Sequence, residues 1–318
     1  MRIRLVTPAP PRSRNGNRTT AARWAAILRR FGHRVDVSLD YAGEPADLML
    51  ALHAWRSADA IARFAEDRPG RPLLVALTGT DAYRFIHSHP ETTLRSITLA
   101  DRLIGLHAKI AEVLPPAQRD KVRVIYQSAL ALPRRAPVKR QFRVCVAGHL
   151  REEKDPLRPA YAVRDVPADS RLAVYQYGKA HSAEWAAAAQ AEMALNPRYR
   201  WLGEVSHAGL RRAYSSAHLL ALPSRMEGGA NVISEAVCAG LPVVASRIDG
   251  SVGLLGEDYP GYYPVADTGA LRELLLRAES DSGFYRQLEA ACMARRGLFD
   301  PARELEAWRR LLGEFEAG

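Results

Sequence analysis

The segment 219–246, LLALPSRMEGGANVISEAVCAGLPVVAS, constrains the fold more than any other part of the chain. It opens with a short apolar run that ends at Pro223 and closes with a second apolar run, LPVVAS. Between them, a loop with two glycines precedes a helical stretch, Val232–Ala239, and Gly240 follows as a helix stop signal. We therefore expect a buried strand, a loop, a helix and another buried strand in this order.

Strands alternate with helices along the rest of the chain, which predicts α/β architecture with parallel sheets covered on both faces. The other predicted strands are 2–7, 35–39, 47–52, 72–77, 102–107, 121–126, 142–147, 171–177 and 199–202. The other predicted helices are 19–31 (capped by Thr19 or Thr20), 56–66, 90–98, 108–114, 156–163, 182–194, 206–215, 268–279, 283–297 and 302–316. Segment 129–141, with two prolines and four basic residues, is the predicted linker. We expect domains over 1–130 and 142–300 and a final helical segment, 301–318.

Composition supports a globular protein of two ordinary domains, with 318 residues, 47% hydrophobic and 25% charged. Neither a run of roughly 18 apolar residues, as a membrane span needs, nor a signal-peptide core is found. Cys145, Cys238 and Cys292 are widely spaced, which is typical of buried free thiols in a reducing cytoplasm. We therefore expect a cytoplasmic protein without stable membrane association.

The net charge of +10 is concentrated near the start, where residues 1–35 hold nine arginines and no acid. Such a surplus favours anionic partners, although part of it also fits a solvated basic helix face. Motifs that present basic residues to a nucleic-acid groove are absent from the sequence. We therefore expect small anionic substrates and no nucleic acid.

The loop before the central helix has the composition of an anion site. Glycines 228 and 229 are predicted to let the backbone approach a ligand closely. The amides of Gly229, Ala230 and Asn231 would then point outward from a helix N-terminus, where phosphate commonly binds.

Two glutamates flank this loop. Glu227 precedes it and is predicted to face a sugar, whereas Glu235 lies inside the helix, where its carboxylate can accept hydrogen bonds from a ribose diol. The pair alone also fits an ordinary surface helix. Together with the following Ala-Val-Cys-Ala-Gly-Leu-Pro-Val-Val, however, it resembles the signature of retaining GT-B glycosyltransferases of the sucrose-synthase-like group. That resemblance implies two Rossmann-like domains facing across a cleft, a nucleotide-sugar donor, and a last helix that crosses back onto the N-terminal domain.

The segment VAGHLREEKDP, 146–156, resembles the donor-phosphate loop of that family. Gly148 and Lys154 match the pattern, and the resemblance implies that Lys154 neutralises the pyrophosphate. The position of the family arginine holds His149, so Arg151 is an alternative cationic group. Leu202, in YRWLGEV, lies in the segment that resembles the family's base-reading strand, which would suit uracil.

In the N-terminal half, VALTGTDAYR resembles the family's Thr-x-His-Gly-x-Asp segment. Thr78 stands at the position of the family histidine, and Thr80 and Asp81 belong to the same segment. His107 ends the next strand, where a histidine is either a polar group of the site or structural. These four residues are predicted to border the acceptor.

A second anion site is predicted at the first helix, whose amides and threonine hydroxyls would form a cradle around an acceptor phosphoryl group. Arg18 would grip that group bidentately, unless it merely solvates the loop. The residues of this predicted site are Asn15, Gly16, Asn17, Arg18 and Thr19.

A narrower resemblance is carried by NGNRTT, TGTD and SRMEGGANVISE together. These segments resemble the selenosugar synthases of the selenoneine pathway, which join selenophosphate to the anomeric carbon of UDP-N-acetylglucosamine. The two other hypotheses are a glycosyltransferase with a hydroxyl acceptor, such as a glycan or lipid, and a non-catalytic basic binding protein.

The sequence contains none of the Asp-x-Asp triplets that hold a metal on the pyrophosphate in other glycosyltransferases. Lys154 and the helix N-terminus can supply the positive charge instead. We therefore expect neither a metal nor another cofactor.

Overall fold

The computed structural model describes residues 1–11, 13, 15–133 and 139–316. The chain forms two compact units. Unit 1 contains Met1–Gln127, the short stretch Glu227–Gly229 and the last helix. Unit 2 contains Ser128–Met226 and Ala230–Asp300. The predicted linker lies at the start of unit 2, and its residues 134–138 fall outside the described residues, as do two of the N-terminal arginines, at positions 12 and 14.

Unit 1 is built on a six-stranded parallel sheet in the order β2-β1-β3-β4-β5-β6. Its strands are β1 (Arg2–Val6), β2 (Arg34–Ser38), β3 (Leu48–Leu52), β4 (Leu73–Ala76), β5 (Arg102–Gly105) and β6 (Val122–Val124). Its helices are α1 (Gly16–Arg30), α2 (Ala58–Asp67), α3 (Ile86–Ser88) and α4 (Pro90–Leu99). A π-helical turn, Asp81–Phe85, and two 3-10 helices, Ala108–Val113 and Pro116–Lys121, complete the connections.

Both faces of this sheet are covered, and β3 shows it directly. Every residue of β3 is buried. Leu48, Leu50 and Leu52 pack into one apolar cluster, whereas Met49 and Ala51 pack into another. Because successive strand residues point to opposite faces, these clusters lie on the two sides of the sheet.

Unit 2 has a second six-stranded parallel sheet, in the order β12-β11-β10-β7-β8-β9. Its strands are β7 (Phe142–Ala147), β8 (Leu172–Tyr177), β9 (Tyr199–Trp201), β10 (Leu219–Leu222), β11 (Val243–Ser246) and β12 (Tyr262–Tyr263). Its helices are α5 (Arg158–Ala162), α6 (Ala183–Leu195), α7 (His207–Ser216), α8 (Asn231–Cys238), α9 (Asp249–Leu255), α10 (Thr268–Ser280) and α11 (Ser282–Arg295), with 3-10 helices at Glu152–Lys154 and Arg296–Phe299.

The two sheets differ in strand order. Numbered from β7, the order in unit 2 is 3-2-1-4-5-6, the Rossmann arrangement, whereas unit 1 has the order 2-1-3-4-5-6. The order reverses between β7 and β10 in unit 2 and between β1 and β3 in unit 1. In such sheets ligands bind outside the carboxyl ends of the strands at the reversal, so each unit has one expected binding edge.

The last helix, α12 (Pro301–Glu316), packs within unit 1 against α1. Trp24 of α1 stacks edge-on against Trp308, with ring centroids 5.1 Å apart. The Trp24 indole also donates a hydrogen bond of 3.1 Å to the buried Glu304 carboxylate. Near the other end of α12, Arg123 and Arg102 bond Glu314 and lower the pKa of its carboxyl.

The predicted start of the first helix was wrong. The helix begins at Gly16, because Asn15 and neither threonine caps it: the Asn15 Oδ1 accepts the amide of Arg18 at 3.0 Å. The sequence pattern also missed α9, β12 and the π-helical turn. All three are short, which leaves few residues for a periodic signal.

Candidate functional site

Two loops meet at the strand-order reversal of unit 2. One follows β7 and carries Gly148 and Lys154, and the other follows β10 and leads to α8. A backbone hydrogen bond of 2.8 Å from the Arg225 amide to the Glu153 carbonyl joins them. The Lys154 side chain runs along Gly148, its Cδ lying 3.7 Å from the point that a β-carbon there would occupy. The loops therefore hold a cation at the expected binding edge.

The α8 helix presents its N-terminus at the same loop. Its cap residue is Ala230, which has no side-chain acceptor, so no capping side chain satisfies the first amides. The first turn contains no acidic residue. Helix α8 begins at Asn231, and its N-terminus is the positive end of the helix dipole. No negative side chain in the first turn offsets that charge.

Glu235 sits one turn into α8 with its side chain 14% exposed. The exposed His207, at the start of α7, places its Nε2 3.5 Å from the Glu235 Oε1. On the buried side, burial and then the Glu235 carboxylate raise the pKa of the Tyr214 hydroxyl far above its usual value. Burial, followed by Glu235, likewise raises the pKa of the Cys145 thiol. The carboxylate lies at the boundary between the core and the surface.

His207 and Tyr214 were not predicted as neighbours of the candidate site. Their spacing of seven residues places them on one face of α7, which is a signal the sequence contained. Neither the spacing nor the segment indicated which helix that face would meet.

Leu202 ends the β9 segment with an exposed side chain, 49% accessible. Its amide bonds the Gln176 carbonyl at 2.9 Å, and Gly203 follows with a φ of +67°. The turn thus leaves a large apolar side chain at the surface beside the carboxyl ends of β8 and β9.

His149 stands at the position of the family arginine, and Arg151 is the alternative cationic group. The two side chains have different surroundings. His149 accepts the Lys179 amide at its Nδ1, at 3.1 Å, and its ring lies 5.2 Å from that of His181. The Nε of Arg151 lies 3.8 Å from the Glu153 carboxylate, and this buried nitrogen makes no hydrogen bond to the described residues. Burial, with Arg151 as the next cause, lowers the pKa of His181. His181 is therefore a neutral neighbour of both.

In unit 1 the Asp81 carboxylate is fully buried. It accepts four backbone amides at 2.8–3.1 Å, those of Ala54, Thr78, Gly79 and Ala82. The carboxylate therefore faces the protein and shapes the loop, and the prediction that this loop borders the acceptor stays a prediction. Thr78 and Thr80 of the same loop are partly exposed.

His53, which the sequence did not single out, supports this loop. It is buried and has a φ of +75°, a conformation that side-chain-bearing residues seldom adopt and that is frequent at functional sites. Its Nδ1 accepts the Arg56 amide at 3.1 Å, so Nε2 carries the proton and donates to the Thr80 hydroxyl at 2.9 Å. Burial lowers the pKa of His53, in agreement with a neutral ring.

His107 is also completely buried, and its place beside the acceptor stays a prediction. Its Nε2 lies 3.1 Å from the Tyr83 hydroxyl. Burial, and then Lys109, lower its pKa to about 4. The ring is therefore neutral at pH 7 and packs inside unit 1.

The predicted cradle at α1 is partly closed by its own hydrogen bonds. Asn15 already accepts the Arg18 amide. The Thr19 hydroxyl donates to the Asn15 carbonyl at 3.2 Å, and the buried Thr20 hydroxyl accepts the Gln127 amide group at 2.6 Å. The amides of Gly16 and Asn17 and the partly exposed Arg18 side chain are what the helix start retains for a ligand.

The two glycines of the loop before α8, Gly228 and Gly229, approach another part of unit 1 closely, and their predicted approach to a ligand stays a prediction. A β-carbon on Gly228 would lie 2.2 Å from the Thr78 carbonyl carbon, and one on Gly229 would lie 2.4 Å from Leu106 Cβ. Glu227, immediately before them, is 9% exposed.

Among the described residues, no group of three or more His, Cys, Asp or Glu side chains is placed to hold a metal ion. None of the described helices is both long and apolar enough to cross a membrane.

Residues 141–281 match the family model for glycosyl transferases group 1. This region covers most of unit 2, including both loops at its strand-order reversal. No curated protein matches the chain.

Solved structures extend the likeness to the whole chain. A sucrose-phosphate synthase from Thermosynechococcus elongatus is 17% identical over 100% of both chains, with a TM-score of 0.81. Anabaena HepE in complex with UDP-glucose is 15% identical over 100% of this chain and 99% of that one, with a TM-score of 0.75. The lipopolysaccharide outer core galactosyltransferase WaaB is 13% identical over 99% of both chains, with a TM-score of 0.72. The chain thus has the GT-B fold, as predicted.

Proposed function

We propose that this chain is a retaining glycosyltransferase that takes a UDP-sugar as donor. The observation that carries the proposal is the Arg225–Glu153 hydrogen bond, which joins the Lys154 loop to the loop before α8 at the strand-order reversal of unit 2. A cation and a helix N-terminus without a capping side chain form a setting for a diphosphate. The UDP-glucose complex of Anabaena HepE, which has the same fold, supports the choice of donor.

In this proposal Lys154 and the amides at the start of α8 stabilise the leaving diphosphate as its charge develops. Glu235 accepts hydrogen bonds from the ribose, beside His207. The backbone at Leu202 reads the uracil ring. Glu227 orients the sugar hydroxyls or supports positive charge at the anomeric carbon.

For the acceptor, we propose selenophosphate, with N-acetylglucosamine as the transferred sugar. This choice rests on the resemblance to selenosugar synthases and on Arg18 beside the first amides of α1. The selenium atom is an anionic nucleophile, so the step needs no general base, in contrast to a hydroxyl acceptor. A carbon–selenium bond forms, the bond between the anomeric carbon and the diphosphate oxygen breaks, and UDP leaves. Water then cleaves the phosphorus–selenium bond and releases phosphate.

The first experiment measures UDP release from a panel of UDP-sugars with selenophosphate, thiophosphate, phosphate or hydroxyl compounds as acceptors. Turnover with selenophosphate supports the proposal. Turnover only with a hydroxyl compound means an ordinary glycosyltransferase. A folded protein that neither turns over nor binds any UDP-sugar is a binding protein of another class.

The second experiment tests the acceptor subsite. We expect Arg18→Ala to raise the KM for selenophosphate strongly, because it removes the guanidinium that would grip the phosphoryl group. The KM for the UDP-sugar should stay near the wild-type value. Arg30→Ala, at the exposed far end of the same helix, is the matched control. Equal losses for both substrates, or none, would place the acceptor elsewhere.

A further inference from the structure

The Glu227–Gly229 stretch belongs to unit 1, and its closest approach to the backbone of that unit is at Gly79 and Thr78. A β-carbon on Gly79 would lie 2.6 Å from the Gly228 amide nitrogen. A β-carbon on Gly228 would lie 2.2 Å from the Thr78 carbonyl carbon and 2.3 Å from the Gly79 nitrogen. The two glycines thus pack backbone against backbone, in a space that admits no side chain from either.

We propose that Gly79 and Gly228 form an interlock that positions Glu227 for the reaction. The inference rests on the proposed function, in which Glu227 contacts the sugar. Gly79 and Gly228 are positioning residues, since they act through the carboxylate next to them.

The atoms in contact explain why the interlock is stiff. A clash with a flexible side chain is relieved by rotation, but here the opposing atoms are backbone atoms of Thr78 and Gly79. Gly79 also has a φ of +123°, in the region that favours glycine. A methyl group at either position therefore has to displace the loop.

The Gly79 side of the interlock is fixed by hydrogen bonds within unit 1. The Asp81 carboxylate accepts the amides of both Thr78 and Gly79. It also accepts the Ala54 amide, which ties the loop to the end of β3, and His53 bonds Thr80. The surface against which Gly228 rests is consequently rigid.

The two glutamates of the site are positioned by different means. Glu235 lies on α8 in unit 2, and the helix backbone sets its place. Glu227 precedes the helix by four residues and is 9% exposed. Its position depends on the contact that the next residue, Gly228, makes. Loss of the interlock should therefore move Glu227 while leaving the groups proposed to bind UDP unchanged.

The test compares Gly228→Ala with Gly313→Ala, a control in α12 where an added β-carbon meets nothing within 4 Å. We expect kcat to fall about 10²-fold in Gly228→Ala, since a misplacement of roughly 1 Å costs that much. The calorimetric Kd for UDP should change less than about twofold, because no proposed UDP ligand moves. Gly313→Ala should match the wild type in both.

Hydrogen exchange provides a readout that needs no substrate. We expect faster amide exchange in the peptide 225–231 of Gly228→Ala, through the amides of Glu227–Gly229 that the added methyl group displaces. Asp81→Asn should speed exchange in the same peptide, although it lies far away in sequence, because it loosens the Gly79 side of the contact. This second variant keeps the test decisive if Gly228→Ala fails to fold.

Wild-type kcat in Gly228→Ala, or unaltered exchange in peptide 225–231 in both variants, would overturn the interlock. A wild-type protein that transfers no sugar would instead reject the proposed function. In that case the exchange experiment alone decides whether the interlock exists.

Discussion

The two units carry their polar groups differently at the carboxyl ends of their strands. In unit 1, Asp81, His53 and His107 are buried, and they bond backbone amides, a threonine and a tyrosine of the same unit. In unit 2, Lys154 and Glu235 are partly exposed beside a helix start without a capping side chain. The two edges have the same parallel-sheet architecture. These polar side chains bond protein groups in unit 1, whereas those in unit 2 stay partly exposed.

This difference shows that polar residues at a binding edge have one of two roles. One kind satisfies loop amides that would otherwise be buried without a partner, and so gives the loop a single shape. The other kind remains near the surface, where a ligand reaches it. In this protein Asp81, His53 and His107 of unit 1 are of the first kind, and Lys154 and Glu235 of unit 2 are of the second.

The largest effect is expected at Asp81. Asp81→Ala leaves several buried amides without an acceptor, and each such group costs about 1–3 kcal/mol, so we expect a loss of roughly 3–5 kcal/mol in the free energy of unfolding. Asp267→Ala in unit 2 is the control, because that side chain caps α10 through the Ala270 amide and costs about 1 kcal/mol. Urea denaturation measures both. Equal losses would abolish the contrast between the units.

A second prediction concerns the pH dependence of His107. Its pKa is about 4 when folded and 6.5 in the unfolded chain, so the unfolded chain binds the proton first as the pH falls. Stability should therefore decrease from about pH 6.5 to about pH 4 and level off below, by roughly 3 kcal/mol in total. Urea denaturation of His107→Gln should show a smaller decrease than the wild type.

The control for His107 is His87→Gln, in which an exposed histidine of the same unit is replaced. This variant should keep the wild-type pH dependence. If His107→Gln also keeps it, the ring is protonated in the folded state at these pH values, and its burial does not distinguish unit 1.

Glu235 gives the next largest effect. Glu235→Ala removes the proposed acceptor of the ribose hydroxyls, and hydrogen bonds to a charged group contribute roughly 1.5–3 kcal/mol each. We expect the calorimetric Kd for UDP to rise at least about tenfold. Glu273→Ala, an exposed glutamate of α10, should leave it unchanged. Unchanged affinity for UDP in a folded Glu235→Ala variant would show that Glu235 does not bind the ribose.

The smallest effect is expected from a chelator. The sequence lacks an Asp-x-Asp triplet, and Lys154 with the α8 N-terminus is proposed to hold the diphosphate instead. Activity should survive EDTA. Abolished activity that Mg²⁺ or Mn²⁺ restores would mean that the donor site of unit 2 needs a metal.

Much of the fold followed from sequence pattern. The apolar runs at 142–147 and 219–222 predicted β7 and β10 because buried parallel strands are apolar on both faces. Gly240 stopped α8 as expected, and its φ is +69°. The α1 cap was misplaced because threonine and asparagine both cap helices, and only the Asn15–Arg18 bond decided between them.

The candidate site was predictable in its parts but not in its contacts. Glu227, Glu235, Lys154 and the glycines were named from spacing and resemblance, since these are local patterns. By itself the sequence determined the alternation of strands and helices and the residue types at the loop ends, because both depend on neighbours along the chain. Only the tertiary structure decided that Gly228 rests on Gly79, that His207 meets Glu235 and that Asp81 turns inward. Each of these contacts joins residues that are distant in sequence or chooses between two directions for one side chain, and packing alone makes that choice.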